Sequence, residues 1–104
     1  MNIYRYESNM TTVSGAVSTT TLDIRGGLLR QVLVRALTAT TTVFRVSLAE
    51  SGGINVLDYG YHTGELNDTG NAGALPLPVY GRYNLSIANA SPNDTFNLRL
   101  LVQE

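Results

Sequence analysis

Apolar and polar residues alternate with a period of two along most of this chain. Val43 to Leu48 is the cleanest case: Phe44, Val46 and Leu48 take one face and Val43, Arg45 and Ser47 the other, as a half-buried strand requires. Arg82 to Ala88 sets Tyr83, Leu85 and Ile87 on one face, and Thr95 to Val102 does the same with Phe96, Leu98, Leu100 and Val102. The β-branched run Thr19 to Ile24 predicts a further strand, broken at Gly26-Gly27. Leu28 to Leu37 is the most apolar segment. Val32 and Val34 fall on one of its faces and Leu29, Leu33 and Leu37 on the other, so both faces are expected to be covered. Ile54 to Tyr59 continues the series across Ser51-Gly52-Gly53, a break suited to a hairpin. Asn89 to Asp94, containing Pro92, reads as the turn between the last two strands.

No segment sustains the i, i+3, i+4 spacing of a capped amphipathic helix. Six to eight short strands separated by Gly, Asn and Pro turns predict an all-β fold with little helix, an antiparallel β-sandwich or jelly-roll-like arrangement. Val32 to Leu48 and Leu85 to Leu100 echo each other as two similar hairpins. A chain of 104 residues fits one domain, read here as residues 16–104. A domain of this size buries about two thirds of its unfolded surface without disulfides or a structural metal.

Two segments depart from the strand pattern. Residues 1–15 open with Ile3, Tyr4 and Tyr6 and end in a polar stretch at Ser14-Gly15. They read either as an edge strand of the domain's own sheet or as an arm that adds a strand to a neighbour's sheet, where backbone hydrogen bonds supply affinity. Asp58 to Pro78 holds Tyr59, Tyr61, His62, four Gly and Leu75-Pro76-Leu77-Pro78, and reads as one long loop. Loops of that length in a compact domain are often functional.

Composition turns attention to contact. The chain has seven Arg and no Lys, six Tyr, twelve Thr and nine Asn, with no Cys or Trp and a single His. Protein interfaces lose Lys and gain Tyr and Arg, because a planar phenol or guanidinium loses little entropy for the contact it makes. Genomic base composition also exchanges Arg for Lys, but the nine Asn, whose codons share two bases with those of Lys, weigh against it. Only 14% of residues are charged and the net charge is −1, so little repulsion opposes association. The Arg residues are scattered between positions 5 and 99 and do not form the cationic cluster that phosphates require, so no nucleic acid partner is expected. The start of the chain lacks the apolar region of a signal peptide, and no apolar run approaches the 18 or so residues of a membrane span. Synthesis in the cytoplasm and no membrane association are the expectation.

Catalytic constellations are not legible. His62 stands alone, without spaced partners for nucleophilic catalysis or metal binding. Glu65, Asn67, Asp68 and Asn71 offer oxygen ligands but lack the ordered spacing and terminal bidentate Glu of a calcium loop. Gly26-Gly27 and Gly52-Gly53 lack the Lys-Ser/Thr or following helix of a phosphate loop and read as turns. Five N-x-S/T tripeptides, beginning at Asn9, Asn67, Asn84, Asn89 and Asn93, are what a chain rich in Asn, Ser and Thr produces by chance. No catalytic residue, metal site or cofactor is therefore expected.

The run from Leu22-Asp23-Ile24-Arg25-Gly26-Gly27 to Val34, the Thr-rich turn, Phe44 to Leu48 and Gly81 to Ile87 resembles small β-sandwich virion proteins of tailed bacteriophages, capsid decoration (cement) proteins foremost. The resemblance spans about residues 20 to 102 as an architecture and carries no diagnostic motif. It implies a non-enzymatic protein made in the host cytoplasm and located in the virion. It also implies a homo-oligomer, trimers being favoured, that binds a major capsid protein or another virion protein. The contact residues expected on this reading are Ile3, Tyr4 and Tyr6 near the N-terminus and Tyr59, Tyr61, His62 and Tyr80 in or beside the long loop. A tail or neck component would share every feature except location, and a carbohydrate-binding sandwich would use Tyr59, Tyr61 and Tyr80 as a stacking platform without the Trp that stacks best.

Overall fold

The structure, a computed structural model, describes residues 2–12, 17–38, 41–70, 73, 75–89 and 94–104. Seven strands account for most of them: β1 (Ile3–Thr11), β2 (Val17–Ala36), β3 (Val43–Glu50), β4 (Asn55–Thr63), β5 (Glu65–Asp68), β6 (Leu77–Asn89) and β7 (Thr95–Gln103). No helix occurs among the described residues. All pairings are antiparallel, in the order β1-β7-β2-β6-β3-β4, with β5 attached to β2.

The twenty-residue β2 organises this sheet. Val17 to Leu29 pair with β6 on one edge, and Leu28 to Ala36 pair with β7 on the other. Where β6 ends, β5 takes its place against Val32 to Arg35. The strand therefore leaves one layer and enters the next, and the single hydrogen-bonded sheet folds over as an antiparallel sandwich.

The bend lies at Gly26 and Gly27, whose φ angles are 105° and 143°, and the register against β6 shifts between Ile24 and Gly27. Expected as a break, this pair is instead a bulge inside one strand. A residue with a side chain resists positive φ, and a Cβ on Gly27 would stand 2.3 Å from the Gln103 carbonyl oxygen.

A second register shift, between Leu29 and Gln31 against β7, corrects the faces expected for the apolar run. The extra residue changes the phase of the alternation. Leu29 thereby joins Val32, Val34 and Ala36 in the core, while Leu33 is buried outside the main core cluster, between its ladder neighbours Asn67 and Arg99. Leu37, expected on that second face, is half exposed.

The inner rows match the alternation elsewhere. Phe44, Val46 and Leu48 of β3, Leu85 and Ile87 of β6, and Phe96 and Val102 of β7 have no exposed surface. The hairpin at Ser51-Gly52-Gly53 closes with Gly53 N–H on the Glu50 carbonyl and Glu50 N–H on the Ile54 carbonyl. The turn expected around Pro92 has residues 90–93 outside the described residues.

The long loop expected over Asp58 to Pro78 is largely strand. β4 runs through Thr63, Gly64 makes the turn, and β5 follows with Leu66 and Asp68 buried. Among the described residues after β5, only 69, 70, 73, 75 and 76 lie outside strands before β6. The strands of the segment were hard to recognise because edge positions tolerate polar residues and leave a weak apolar signal.

Candidate protein interface

Two clusters of exposed aromatic and Arg side chains lie at distant points of the sandwich. The first surrounds the bend of β2. Arg25, one residue before Gly26, lays its guanidinium carbon 4.6 Å from the centre of the Tyr4 ring, and its backbone N–H donates to the Tyr6 hydroxyl at 3.1 Å. Strand β1 thus reaches across the open side of the sandwich to the first half of β2. The phenol of Tyr4 is held above its ordinary pKa chiefly by a hydrogen bond to the Glu104 side chain.

Tyr80 is the most exposed large aromatic of this region, at 81%. A Cβ on Gly26 would stand 3.0 Å from its ring, so the glycine lets the phenol lie against the bend. The backbone N–H of Tyr80 donates to the Tyr83 hydroxyl at 3.2 Å, which fixes the strand beneath the ring. Beside it opens a shallow groove of about 650 Å³ lined by Asp23, Ile24, Arg25, Ser51, Tyr80, Gly81 and Arg82. Asp23 and Arg82, ladder partners across β2 and β6, pair there at 3.2 Å.

The second cluster sits on the outer face of β3 and β4. Arg45 donates through Nε to Asp58 Oδ1 at 3.0 Å and through a terminal nitrogen to Oδ2. This fork holds the Asp58 carboxyl below its ordinary range. The Arg45 guanidinium also lies 5.9 Å from the centre of the Tyr61 ring, which is 72% exposed.

Of the residues singled out from sequence, Tyr4, Tyr6 and Tyr80 come together around Arg25. Ile3 is exposed on β1, and Tyr61 is exposed on β4. Tyr61 faces Arg45, which faces Ala88, and Ala88 lies eight residues along β6 from Tyr80. That separation is on the order of 25 Å, so the two exposed rings do not form one stacking platform. Tyr59 turns inward against the core, and its hydroxyl donates to Asp68 Oδ2 at 2.8 Å. Burial, then the neighbouring carboxylate, raises the Tyr59 phenol pKa far above the ordinary value. His62 is half-buried, with Nε2 3.2 Å from the Tyr59 carbonyl oxygen.

Sequence reasoning missed Arg25, Arg45 and Gly26 as parts of these clusters. Their signal was faint, because an Arg in a strand looks like a solvated face until the fold brings an aromatic ring to it. Among the described residues, no group of three or more His, Cys, Asp or Glu side chains is placed to hold a metal ion. No protein-family model matches the chain, and no curated protein matches it.

Proposed function

We propose that this chain is a non-enzymatic structural protein of a tailed-phage virion, one that binds an assembled capsid as a decoration or cement protein. The observation that carries the reading is the aromatic and Arg surface at the bend of β2, where Tyr80, Arg25 and Arg82 stand exposed on a tightly packed β frame. Planar side chains held by packing meet a partner at low entropic cost, and Tyr and Arg dominate the binding energy of protein interfaces. The absence of Lys from the whole chain fits the same use.

A cement protein acts by mass action. Binding the assembled shell and not the free subunits stabilises the shell by the free energy of each contact, repeated over its symmetric copies. Modest individual contacts become collectively tight when several engage at once.

The test is to mix purified protein with shells that lack it and measure uptake by co-sedimentation. Saturation at a fixed ratio per capsid subunit is the expected result. Protein that stays in the supernatant with shells but pellets with purified tails would move the assignment to the tail or neck. Retention on immobilised glycans without uptake by either particle would replace it with carbohydrate recognition.

A further inference from the structure

Strand β1 is the outer strand of its layer, and no strand pairs with its far edge among the described residues. The direction of its free backbone groups follows from the ends of its ladder. Glu104 N–H donates to the Asn2 carbonyl and Thr12 N–H to the Asp94 carbonyl, both at 2.9 Å. In an antiparallel ladder such bonds recur at every second residue. Tyr4, Tyr6, Ser8 and Met10 therefore bond to β7, and Ile3, Arg5, Glu7, Asn9 and Thr11 turn their N–H and C=O groups outward. The Ser8 hydroxyl donates to one of these outward groups, the Asn9 carbonyl, at 3.3 Å.

The other open edges are shorter, interrupted or partly taken. Strand β4 carries two register shifts against β3 and a Gly60 at φ 69°, features that twist an edge away from pairing. Strand β5 has four residues. The first half of β2 ends in the Gly26-Gly27 bulge, and its Arg25 N–H is taken by Tyr6. Strand β1 instead keeps an unbroken register for nine residues with no Pro, Lys or bulge. A long regular edge of that kind is a template for another strand.

Its charges select which strand. On the outward face Glu7 pairs with its ladder neighbour Arg99 at 3.2 Å, while Arg5 faces Leu101 and makes no ion pair among the described residues. If a second β1 lies antiparallel across a twofold axis through Tyr6, Arg5 falls opposite Glu7 of the other copy, and Ile3 opposite Asn9. Each Glu7 then sits between Arg99 of its own chain and Arg5 of the other. Moving the register by two residues in either direction sets Glu7 against Glu7 or Arg5 against Arg5, and like charges directly opposite are unfavourable.

We propose that two copies of this chain pair through β1 in that register, joining their sheets about a twofold axis by about eight backbone hydrogen bonds. The pairing makes the basic assembly a dimer, where the resemblance to decoration proteins implied a trimer. It stands apart from the capsid reading, since failure to bind shells would leave it intact.

Light scattering on the full chain at tens of micromolar tests it. The expected mass is twice the 11.2 kDa of one chain. Arg5→Glu places carboxylates opposite one another and is expected to weaken dimerisation at least about tenfold, with the far-UV circular dichroism unchanged. The double variant Arg5→Glu/Glu7→Arg restores opposite charges across the axis and is expected to recover the dimer. A monomeric or trimeric native chain, or a dimer indifferent to Arg5→Glu, would overturn the proposal.

Discussion

Phe44 of β3 and Phe96 of β7 meet edge to face, their ring centroids 4.9 Å apart and their planes at 63°, although β6 and β2 separate their strands in the sheet. Only a sheet folded onto itself brings them together. Replacing either ring by Ala is expected to cost about 3 to 5 kcal/mol of unfolding free energy. A double-mutant cycle with Leu at both positions should return a coupling of about 0.5 to 1.5 kcal/mol from the edge-to-face geometry. Urea unfolding measures both; additive effects would mean that the layers do not meet at these rings.

The bend of β2 depends on its glycines unequally. Gly27→Ala drives a methyl group into the backbone of Gln103, and we expect a loss of more than about 3 kcal/mol, or a displaced end of β7. Gly53→Ala is the control. Gly53 also has a positive φ, 92°, but no atom stands within 4 Å of the added methyl, so its cost should be limited to about 1 to 2 kcal/mol of backbone strain. Thermal denaturation of the two variants compares them directly.

Asp68 is buried, with Oδ2 accepting from the Tyr59 hydroxyl and Oδ1 from the Gly70 N–H at 2.9 Å. Tyr59→Phe leaves that carboxylate short of a donor and should lower stability by about 1 to 3 kcal/mol at pH 7. The native phenol's pKa is raised above the unfolded value of 10.0, so its stabilising contribution is complete below pH 10 and lost as pH rises beyond it. Between pH 9 and 11, values chosen to bracket roughly that unfolded pKa, the stability gap between native protein and Tyr59→Phe should narrow. A gap independent of pH would argue against a buried phenol.

Acid acts on the other cluster with the opposite sign. Arg45 depresses the Asp58 pKa below the ordinary 3.8, so the carboxylate contributes stability above that value and loses it as pH falls through the native pKa. The difference in urea midpoint between native protein and Asp58→Asn should be present at pH 7 and shrink as pH falls below the ordinary carboxylate value of 3.8. The cluster is well exposed, so high salt should also shrink the difference.

The interface assignment predicts a separation of binding from folding. Tyr80→Ala removes an exposed ring whose strand is held by its backbone, so stability should change by less than about 0.5 kcal/mol. Uptake by shells should fall at least about tenfold if the ring is an anchor. Equal uptake by both proteins would move the contact away from the bend.

Much of the fold was readable because its strands have one dry face. Phe44, Val46 and Leu48 could be placed inward from their spacing alone, as could Tyr83, Leu85 and Ile87, because a period of two leaves only two choices of face. The failures fell where a residue is inserted into the ladder. One extra position near Arg30 moved Leu29 to the core face, and the same short-range pattern is compatible with either outcome. The end of β4 beyond Tyr59 and the whole of β5 read as a loop because edge strands need few apolar residues. Asp94 likewise looked like part of a polar turn. It is buried, accepts from Thr42 and Thr38 through its carboxylate and from Thr12 through its carbonyl, and so ties together three chain segments that are distant in sequence.

The sequence by itself determined the strand class, the inward rows of β3, β6 and β7, and a polar composition with Arg and no Lys, since these depend on local alternation and composition. The tertiary structure alone decided that β2 crosses between layers, that Arg25 stands beside Tyr4 and Tyr6, and that β1 presents a regular open edge. Those relations depend on contacts between residues up to nearly the whole chain apart, and no local spacing records which strands will meet.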